Sequence, residues 1–372
     1  MNETAAPKQR TVGPVSVVVC NYNGEEHLPH CLAGILSMRG EIDEVLIVDN
    51  RSSDRSLEII NEVWAAAGEA APKLRIVALP FNDGPGPARN RGMEDAHNRW
   101  VLALDNDVVC QPDTLEKLVE AAEARRDAVV VQPRSVFADD PERVHYDGGS
   151  FHYVGLISLR NWYRPLATAE GQGAVDVDCL VSLGVLCNRD VLLKMGGYDP
   201  AYFILFEDLD LSYRLRLSGH AIVSVEDALV LHRGGTAGIS YRSGPKYPHS
   251  RVHLHSRNRW LFLIKCFRLR TLLVALPGLL VYEVVWFLFS LFSGGLFAWW
   301  RGKREVNDQL EDLIEKRMKV QRNRTRGDRE LLQGGPLTVT PSLKAGGLRG
   351  LVLSGLDLVL RSWWALARWA AG

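Results

Sequence analysis

The chain has 372 residues, enough to bury a full core as one large domain with an appendage. Lys plus Arg and Asp plus Glu each total 44, so the formal net charge is +0; no global basic field recruits nucleic acid, and any polyanion contact must be local. Six scattered cysteines (Cys20, Cys31, Cys110, Cys179, Cys187, Cys266) without C-x-x-C spacing point to reduced thiols in a cytosolic compartment rather than a disulfide framework.

In chain order, Met1–Thr11 is polar and lacks the apolar core of a signal peptide, so residues 1–12 are expected to be disordered and the first domain cytosolic. Val15–Cys20 is a continuous apolar run of the kind buried on both faces of a parallel sheet. The turn Asn21-Tyr22-Asn23-Gly24 follows, then a helical stretch to about Met38. Glu44–Val48 reads as a second buried strand ended by Asp49-Asn50, and Ser52–Ala67 as a helix capped by Ser53 or Asp54. Leu74–Ala78 gives a third strand, Pro87–Asn98 a helix and Trp100–Leu104 a fourth strand. Repeated strand–helix units predict an α/β fold, a mainly parallel sheet with helices on both faces, whose ligands bind at the carboxyl ends of the strands. Asn21, Asp49, Asn82–Gly86 and Asp105–Asp107 all fall at that edge.

Pro133–Gly173, rich in Gly, Tyr, Trp and Arg, reads as loops with short strands. Helical periodicity returns at Arg189–Met195 and Glu207–Ser218. Beyond Arg259 lie seven of the ten tryptophans, and a domain boundary is placed near Ser240–Ser250, giving a domain over 13–245 and a helical region over 246–372.

Asp105-Asn106-Asp107 closes the fourth strand. Two carboxylates two residues apart at a buried strand end can share a hard cation, Mg²⁺ or Mn²⁺, which in turn bridges a diphosphate. By itself the pattern also fits a solvated turn. The second constellation runs Gly197-Tyr198-Asp199 to Phe206-Glu207-Asp208-Leu209-Asp210, with Arg214 and Arg216 on the following turns. Acids at a helix start followed by Arg at i+4 suit ordinary dipole compensation and ion pairing, and Asp210 with Arg214 is open to that reading. A rigid, ionised carboxylate at a helix start also suits a general base.

Together the segments VSVVVCNYNG, EVLIVDNRSSD, NDGPGPARNRG, LALDNDV and GGYDPAYFILFEDLDLSYRLRLSG resemble the family 2 glycosyltransferases with the GT-A fold, over roughly Val15–Gly235. The resemblance implies that Asn21, Tyr22, Asn23 and Asp49 hold the nucleotide base, with Asn50, Ser52 and Asp54 completing that wall. Arg89 and Asn90 would face ribose and phosphate, Asp105 the ribose, and Asp107 the metal. Asp208 aligns with the family's catalytic base, Glu207 being its neighbour, and direct displacement would invert the anomeric centre. His232, alone at a strand end, matches a histidine that many such enzymes use as a further metal ligand; it also fits a structural role. Trp162 and Tyr163 fit either a packed loop or a sugar-stacking platform.

Two departures qualify the resemblance. Pro85 and Pro87 stiffen the glycine-rich turn, and Ser256-Arg257-Asn258-Arg259-Trp260 lacks the glutamine of the Q-x-x-R-W signature of processive synthases, which argues for addition of a single sugar.

Leu272–Trp300 contains one charge, Glu283; as a helix its roughly 29 residues would cover about 43 Å, more than the ~30 Å hydrocarbon core. Basic residues flank both ends, so Pro277-Gly278 and Gly294-Gly295 are expected to break it into an interfacial or re-entrant pair; a buried hairpin is the alternative. Leu348–Trp369 fits an amphipathic helix on anionic lipid, and Arg304–Glu330 a solvated helix whose basic end, Arg317–Arg326, could face lipid phosphates. The expected partners are a nucleotide-sugar donor, a polyprenyl-diphosphate-linked or other glycan acceptor and membrane lipid at the cytoplasmic face; nothing excludes a homo-oligomer. The C-terminal layout resembles the rhamnosyltransferase branch, with dTDP-rhamnose or a UDP-sugar as donor. A sugar-nucleotide nucleotidyltransferase is the enzymatic alternative, though Asn21–Gly24 stands where its basic glycine-rich loop would be. A catalytically silent membrane scaffold is the other, and it has no need of Asp107 and Asp208 together.

Overall fold

In the computed structural model, residues 12–171, 173–234, 247–341 and 347–372 are described. The expected domain boundary at 245/246 lies outside them, as does all of the expected disordered N-terminus except Val12, which is buried.

The first half is built as its apolar runs dictate. Strands β1 (Val15–Asn21), β2 (Ile42–Asp49), β3 (Lys73–Ala78) and β4 (Trp100–Asp105) form a parallel sheet in the order β3-β2-β1-β4. Helices α1 (Leu28–Ser37), α2 (Ser56–Ala67) and α3 (Pro85–Asp95) make the crossovers. Alternate residues of β1 feed two cores: Val17 and Val19 pack with Leu32, Ile35 and Leu102, while Val18 packs with Leu46, Met93 and Ala103. Helix α2 starts at Ser56, later than expected, because Asp54 accepts the Ser56 amide at 3.1 Å and its hydroxyl at 2.5 Å, holding Ser52–Arg55 as a turn.

The sheet then becomes mixed. After β5 (Val108–Cys110) and α4 (Thr114–Ala124), strand β6 (Ala128–Phe137) is buried along its whole length, so the irregular region expected from Pro133 begins later. Pro133, which has no N–H for the ladder, is accommodated by a register shift in its neighbour: Val225 faces Pro133 but Leu229 faces Arg134. Short strands β7 (Val144–Tyr146), β8 (Gly149–His152), β9 (Leu156–Leu159) and β10 (Ala174–Val177) follow. Strand β11 (Gly184–Asn188) runs antiparallel between β4 and β6. Helices α5 (Arg189–Lys194) and α6 (Glu207–Leu217) lead into β12 (Ala221–His232), which pairs with β6, β10 and β5. All six cysteines are free and buried.

The C-terminal part is helical: α7 (His249–Cys266), α8 (Leu269–Phe292), α9 (Leu296–Asp308), α10 (Leu310–Arg322) and a terminal helix, Gly347–Ala367. It shares a third core with the sheet domain, in which Tyr213 and Leu217 of α6 meet Phe262, Leu263, Trp286 and Trp364. Buried ions reinforce the join. Lys265 Nζ lies 2.6 Å from Asp199 and 2.8 Å from Asp210, and Lys316 Nζ lies 2.9 Å from Asp199.

Two expectations for this region are corrected. Helix α8 passes through Pro277 without a break, Gly278 being pressed against the Tyr153 ring, and the interruption comes only at Gly294-Gly295. The stretch 304–330 is not one helix: α9 and α10 divide it, and although α10 is largely solvent-exposed, its Leu313 is buried. Its arginines do not face outward as a set, since Arg317 donates to the Ile264 and Phe267 carbonyls and Arg324 pairs with buried Asp328.

Candidate functional site

The parallel strands end along one edge, and the polar residues that follow β1, β2 and β4 meet there. Asp49 accepts from Asn21 Nδ2 at 2.8 Å, Ser52 Oγ at 2.6 Å and the Ser52 amide at 3.0 Å. A carboxylate offers about four lone-pair sites, so one is left for a further donor such as an imide N–H. Asn106, the middle residue of the Asp-Asn-Asp triplet, donates to Asn21 Oδ1 at 2.8 Å, and a Cβ at Gly24 would strike both side chains. The Asn21–Gly24 turn, with Asn23 at φ 46°, is thereby locked to the end of β4. Asn50 donates to the Gly84 carbonyl at 3.1 Å, while its buried Oδ1 has no partner among the described residues. Tyr22 is 49% exposed at this edge and Phe81, which sequence reasoning passed over, 61%; both offer faces on which a base can stack.

Arg89 is buried and pairs with Asp105, donates to the Ser182 carbonyl at 2.9 Å and lies over the Tyr198 ring. Its Nε and Nη1 have no partner among the described residues, the donor chemistry that a diphosphate would satisfy. Burial pushes the Asp105 carboxyl up to about 6, with Arg89 opposing and Asp107 reinforcing. Asn90 plays a different part from the one expected. Both ends of its carboxamide are spent on the Tyr198 backbone, at 2.7 and 2.8 Å, bracing the loop that leads to the acidic cluster.

Asp107 and His232 are far apart in sequence but adjacent in the sheet, because β12 pairs with β5 so that His232 faces Val108. His232 Nε2 lies 3.0 Å from Asp107 Oδ2, and the Arg233 amide donates to the Asp107 carbonyl at 2.9 Å. On the other side His232 Nδ1 meets His145 Nδ1 at 3.1 Å, the rings stacked 4.6 Å apart. A Cβ at Gly234 would stand 2.9 Å from both Asp107 Oδ2 and His27 Nε2, so glycine keeps this corner open. The carboxylate oxygen suits either Mg²⁺ or Mn²⁺, and the imidazole nitrogen favours Mn²⁺ of the two. Among the described residues no group of three or more His, Cys, Asp or Glu converges, so a cation here would draw further ligands from a diphosphate or water.

Ser182 is the residue that joins the two constellations, and nothing in the sequence marked it. Its amide donates to Asp208 Oδ2 at 3.0 Å and its hydroxyl to Asp208 Oδ1, while Tyr198 OH lies 2.6 Å from that hydroxyl. A continuous chain therefore runs Asp105–Arg89–Ser182–Asp208. Next to it, burial and the charge of Asp208 push Glu207 up to about 8, and its Oε2 has no partner among the described residues. Asp210 takes the structural reading: it pairs with Arg214 at 2.8 Å and with Lys265. Tyr163 packs 4.8 Å from Phe137, as a packed loop requires.

The raised Glu207 has a consequence for stability. A carboxyl whose folded pKa lies above its unfolded value of 4.5 costs nothing at low pH, and the penalty grows as pH rises from there to about 8. Glu207→Gln is expected to melt about 2–4 °C higher than the parent at pH 8.5, the gap vanishing near pH 4.5. Thermal scans across that range check it; a pH-independent gap refutes it.

The segment before α6 is strained. Phe203, Leu205 and Phe206 have φ of 62°, 69° and 75°, conformations that cost roughly 1–3 kcal/mol each for such side chains. Gly84, at φ 93°, packs directly on the Phe203 carbonyl, leaving no room for a Cβ.

Residues 16–181 match the family described as Glycosyl transferase family 2. The succinoglycan biosynthesis protein ExoO of Rhizobium meliloti is 33% identical over 43% of this chain and 41% of its own length, so the match spans less than half of that relative. An N-acetylglucosaminyl-diphospho-decaprenol L-rhamnosyltransferase of Mycobacterium tuberculosis is 27% identical over 66% of this chain and 83% of its own. The crystal structure of GalNAc-T7 with UDP, GalNAc and Mn²⁺ superposes with a TM-score of 0.51 at 15% identity, covering 69% of this chain and 51% of that one. That likeness shows a shared fold, the α/β arrangement termed GT-A.

Proposed function

This chain is a family 2 glycosyltransferase through its residues 16–181, and from that premise we propose that it transfers a single sugar from a nucleotide diphosphate, with inversion, to a lipid-linked saccharide. The observation that carries the reading is the Asp105–Arg89–Ser182–Asp208 chain, which sets a carboxylate at the start of α6 beside the edge where nucleotide residues collect. In this reading Asp49, Asn21 and Tyr22 hold the base, Arg89 neutralises phosphate charge, and Asp107 with His232 holds a divalent cation. When bound, that cation supplies Lewis-acid neutralisation of the departing diphosphate. Asp208 takes the proton from the acceptor hydroxyl as that oxygen attacks the anomeric carbon, and the nucleotide diphosphate leaves on the opposite face. Glu207, held protonated near neutrality, does not compete for that proton.

For donor and acceptor, support comes from the relatives' names, which concern succinoglycan biosynthesis and rhamnosyl transfer to a decaprenol-linked sugar. A panel of dTDP-, UDP- and GDP-sugars with Mg²⁺ or Mn²⁺, scored for binding and hydrolysis, tests this reading. Failure of every nucleotide sugar to bind rejects it.

The proposed place of action is the cytoplasmic membrane face. Helices Leu269–Phe292 and Gly347–Ala370 are long and apolar enough to cross a membrane by length and composition. Glu283, the one acid of α8, turns inward, accepting from Arg259 at 2.7 Å, Trp260 Nε1 at 3.1 Å and Trp299 Nε1 at 3.2 Å. The opposite stripe, Leu273, Leu276, Leu280, Val284, Leu288 and Leu291, is exposed, as are Leu351, Leu358 and Leu366 of the terminal helix. A helix fastened along one side and bare along the other favours lying in the interface over spanning.

Truncation at Leu348 is a poor test, because it removes Trp364, which stacks on Tyr153 at 4.5 Å and donates to the Leu332 carbonyl. The double substitution Leu351→Glu and Leu358→Glu touches exposed positions only. It is expected to move most of the protein from pelleted anionic vesicles to the supernatant while the melting temperature stays within about 3 °C. Unchanged co-sedimentation rejects the terminal helix as a membrane contact; if Leu280→Glu and Val284→Glu on α8 also leave it unchanged, the membrane assignment falls.

A further inference from the structure

We propose that Asn258 and Arg257 of α7 are positioning residues for the base, clamping the strained segment Tyr202–Phe206 so that α6 presents Asp208 at a fixed height and angle; this rests on reading Asp208 as the base. The fully buried Asn258 Nδ2 faces three backbone carbonyls at once, those of Tyr202 at 2.9 Å, Ile204 at 3.0 Å and Leu205 at 2.7 Å. Those carbonyls converge because Phe203 and Leu205 are left-handed, a geometry the backbone does not adopt unaided. Arg257 extends the clamp: its Nε donates to Asn258 Oδ1 at 2.8 Å, and its Nη2 to the carbonyls of Ala201 at 3.1 Å and Tyr202 at 3.0 Å. His255, on the same helix, meets the Phe206 ring edge-on at 5.4 Å, and Phe206 accepts the first backbone bond of α6, from Asp210.

The clamped segment has two further neighbours. Phe203 lies against Gly84, whose own carbonyl is held by Asn50 on the nucleotide side. Arg259, next to Asn258, ties α7 to Glu283 of the apolar helix α8. The carboxamide thus stands where the donor loop, the base helix and the helical region meet. Its chemistry is specific: a neutral double donor satisfies clustered carbonyls, whereas a carboxylate there would repel them. Neither Asn258 nor Arg257 bonds directly to a nucleotide-binding residue or a cation ligand, the link to that side running through Phe203, Gly84 and Asn50, so loss of the clamp acts first on the alignment of Asp208.

The test uses the full chain and the nucleotide sugar selected by the donor panel, with Asn258→Asp and Asn258→Ala beside the parent. Turnover is expected to fall about 10–100-fold, as misplacement of a reacting group by an ångström does. The donor KM and nucleotide affinity are expected to stay within about two-fold, and the amides of 203–208 to exchange faster. Parent-like turnover overturns the proposal, and so does a loss of turnover and nucleotide affinity by the same factor. Should the Asn258 variants not fold, Arg257→Gln removes the outer bonds, together with the 3.3 Å ion pair to Glu305, while leaving Asn258 in place, and is expected to cut turnover about five-fold with the same split; parent-like turnover there also overturns it. Asp208→Asn separates the two readings. If that variant turns over, the base assignment fails; if it is dead while Asn258→Asp is parent-like, only the clamp fails.

Discussion

Asp208→Asn is expected to reduce turnover by about 10²–10⁴-fold, the share of a rate that a positioned base contributes, while nucleoside diphosphate binding survives. The substitution is isosteric and keeps an acceptor for the Ser182 amide, and the Ser182 hydroxyl can rotate to accept from the new NH₂ group. What it removes is proton affinity, so kcat falls and donor affinity does not. Glu207 offers no ready bypass near neutrality, because burial, the larger cause of its rise to about 8 in the parent, persists in the variant. Replacing Asp208 also removes one cause of that rise, so residual activity that increases above neutral pH would report Glu207 acting in its place. Near-normal turnover at pH 7 sinks the assignment.

Removing the proposed divalent ion is expected to be the second large effect. Dialysis against EDTA is expected to lower turnover by about two orders of magnitude or more, restored by Mn²⁺ or Mg²⁺, since a Lewis acid at the diphosphate supplies several kcal/mol. Asp107→Ala takes away the carboxylate beside His232 and is expected to abolish Mn²⁺ binding in the presence of UDP, read by electron paramagnetic resonance independently of activity. Arg89, with two unpartnered guanidinium nitrogens, remains to hold the phosphate charge, so nucleotide binding should weaken rather than vanish. Full turnover by protein shown to be metal-free would place that neutralisation on Arg89 alone.

Local information was enough for some of this. The runs VSVVVC, EVLIV and WVLAL are strands in any context that buries them, and β1, β2 and β4 form side by side where expected. Because parallel strands put their carboxyl ends on one edge, Asn21, Asp49, Asp105 and Asp107 were legible as neighbours before any contact was known. Asp210 with Arg214 was legible as an ion pair from its i,i+4 spacing alone.

Features that depend on partners distant in the chain were not. Ser182 carries no motif, and it matters because the loop before β11 lies along the end of β4, where the Asp105 amide bonds to the Leu183 carbonyl at 2.9 Å. Asn90 looked like a phosphate ligand by position, but a carboxamide bonds to whatever backbone it meets, and here that is Tyr198. Pro133 reads as a breaker until the register shift in β12 absorbs it, and Arg317 reads as solvated until it meets two carbonyls of the α7–α8 corner. The sequence by itself determined the strand runs, the polar edge and the acids that collect there, since periodicity and burial are properties of neighbouring residues. Only the tertiary structure decided which of those polar groups are spent on one another, because hydrogen bonds are short and directional, and the chain must be folded before donor and acceptor come within reach.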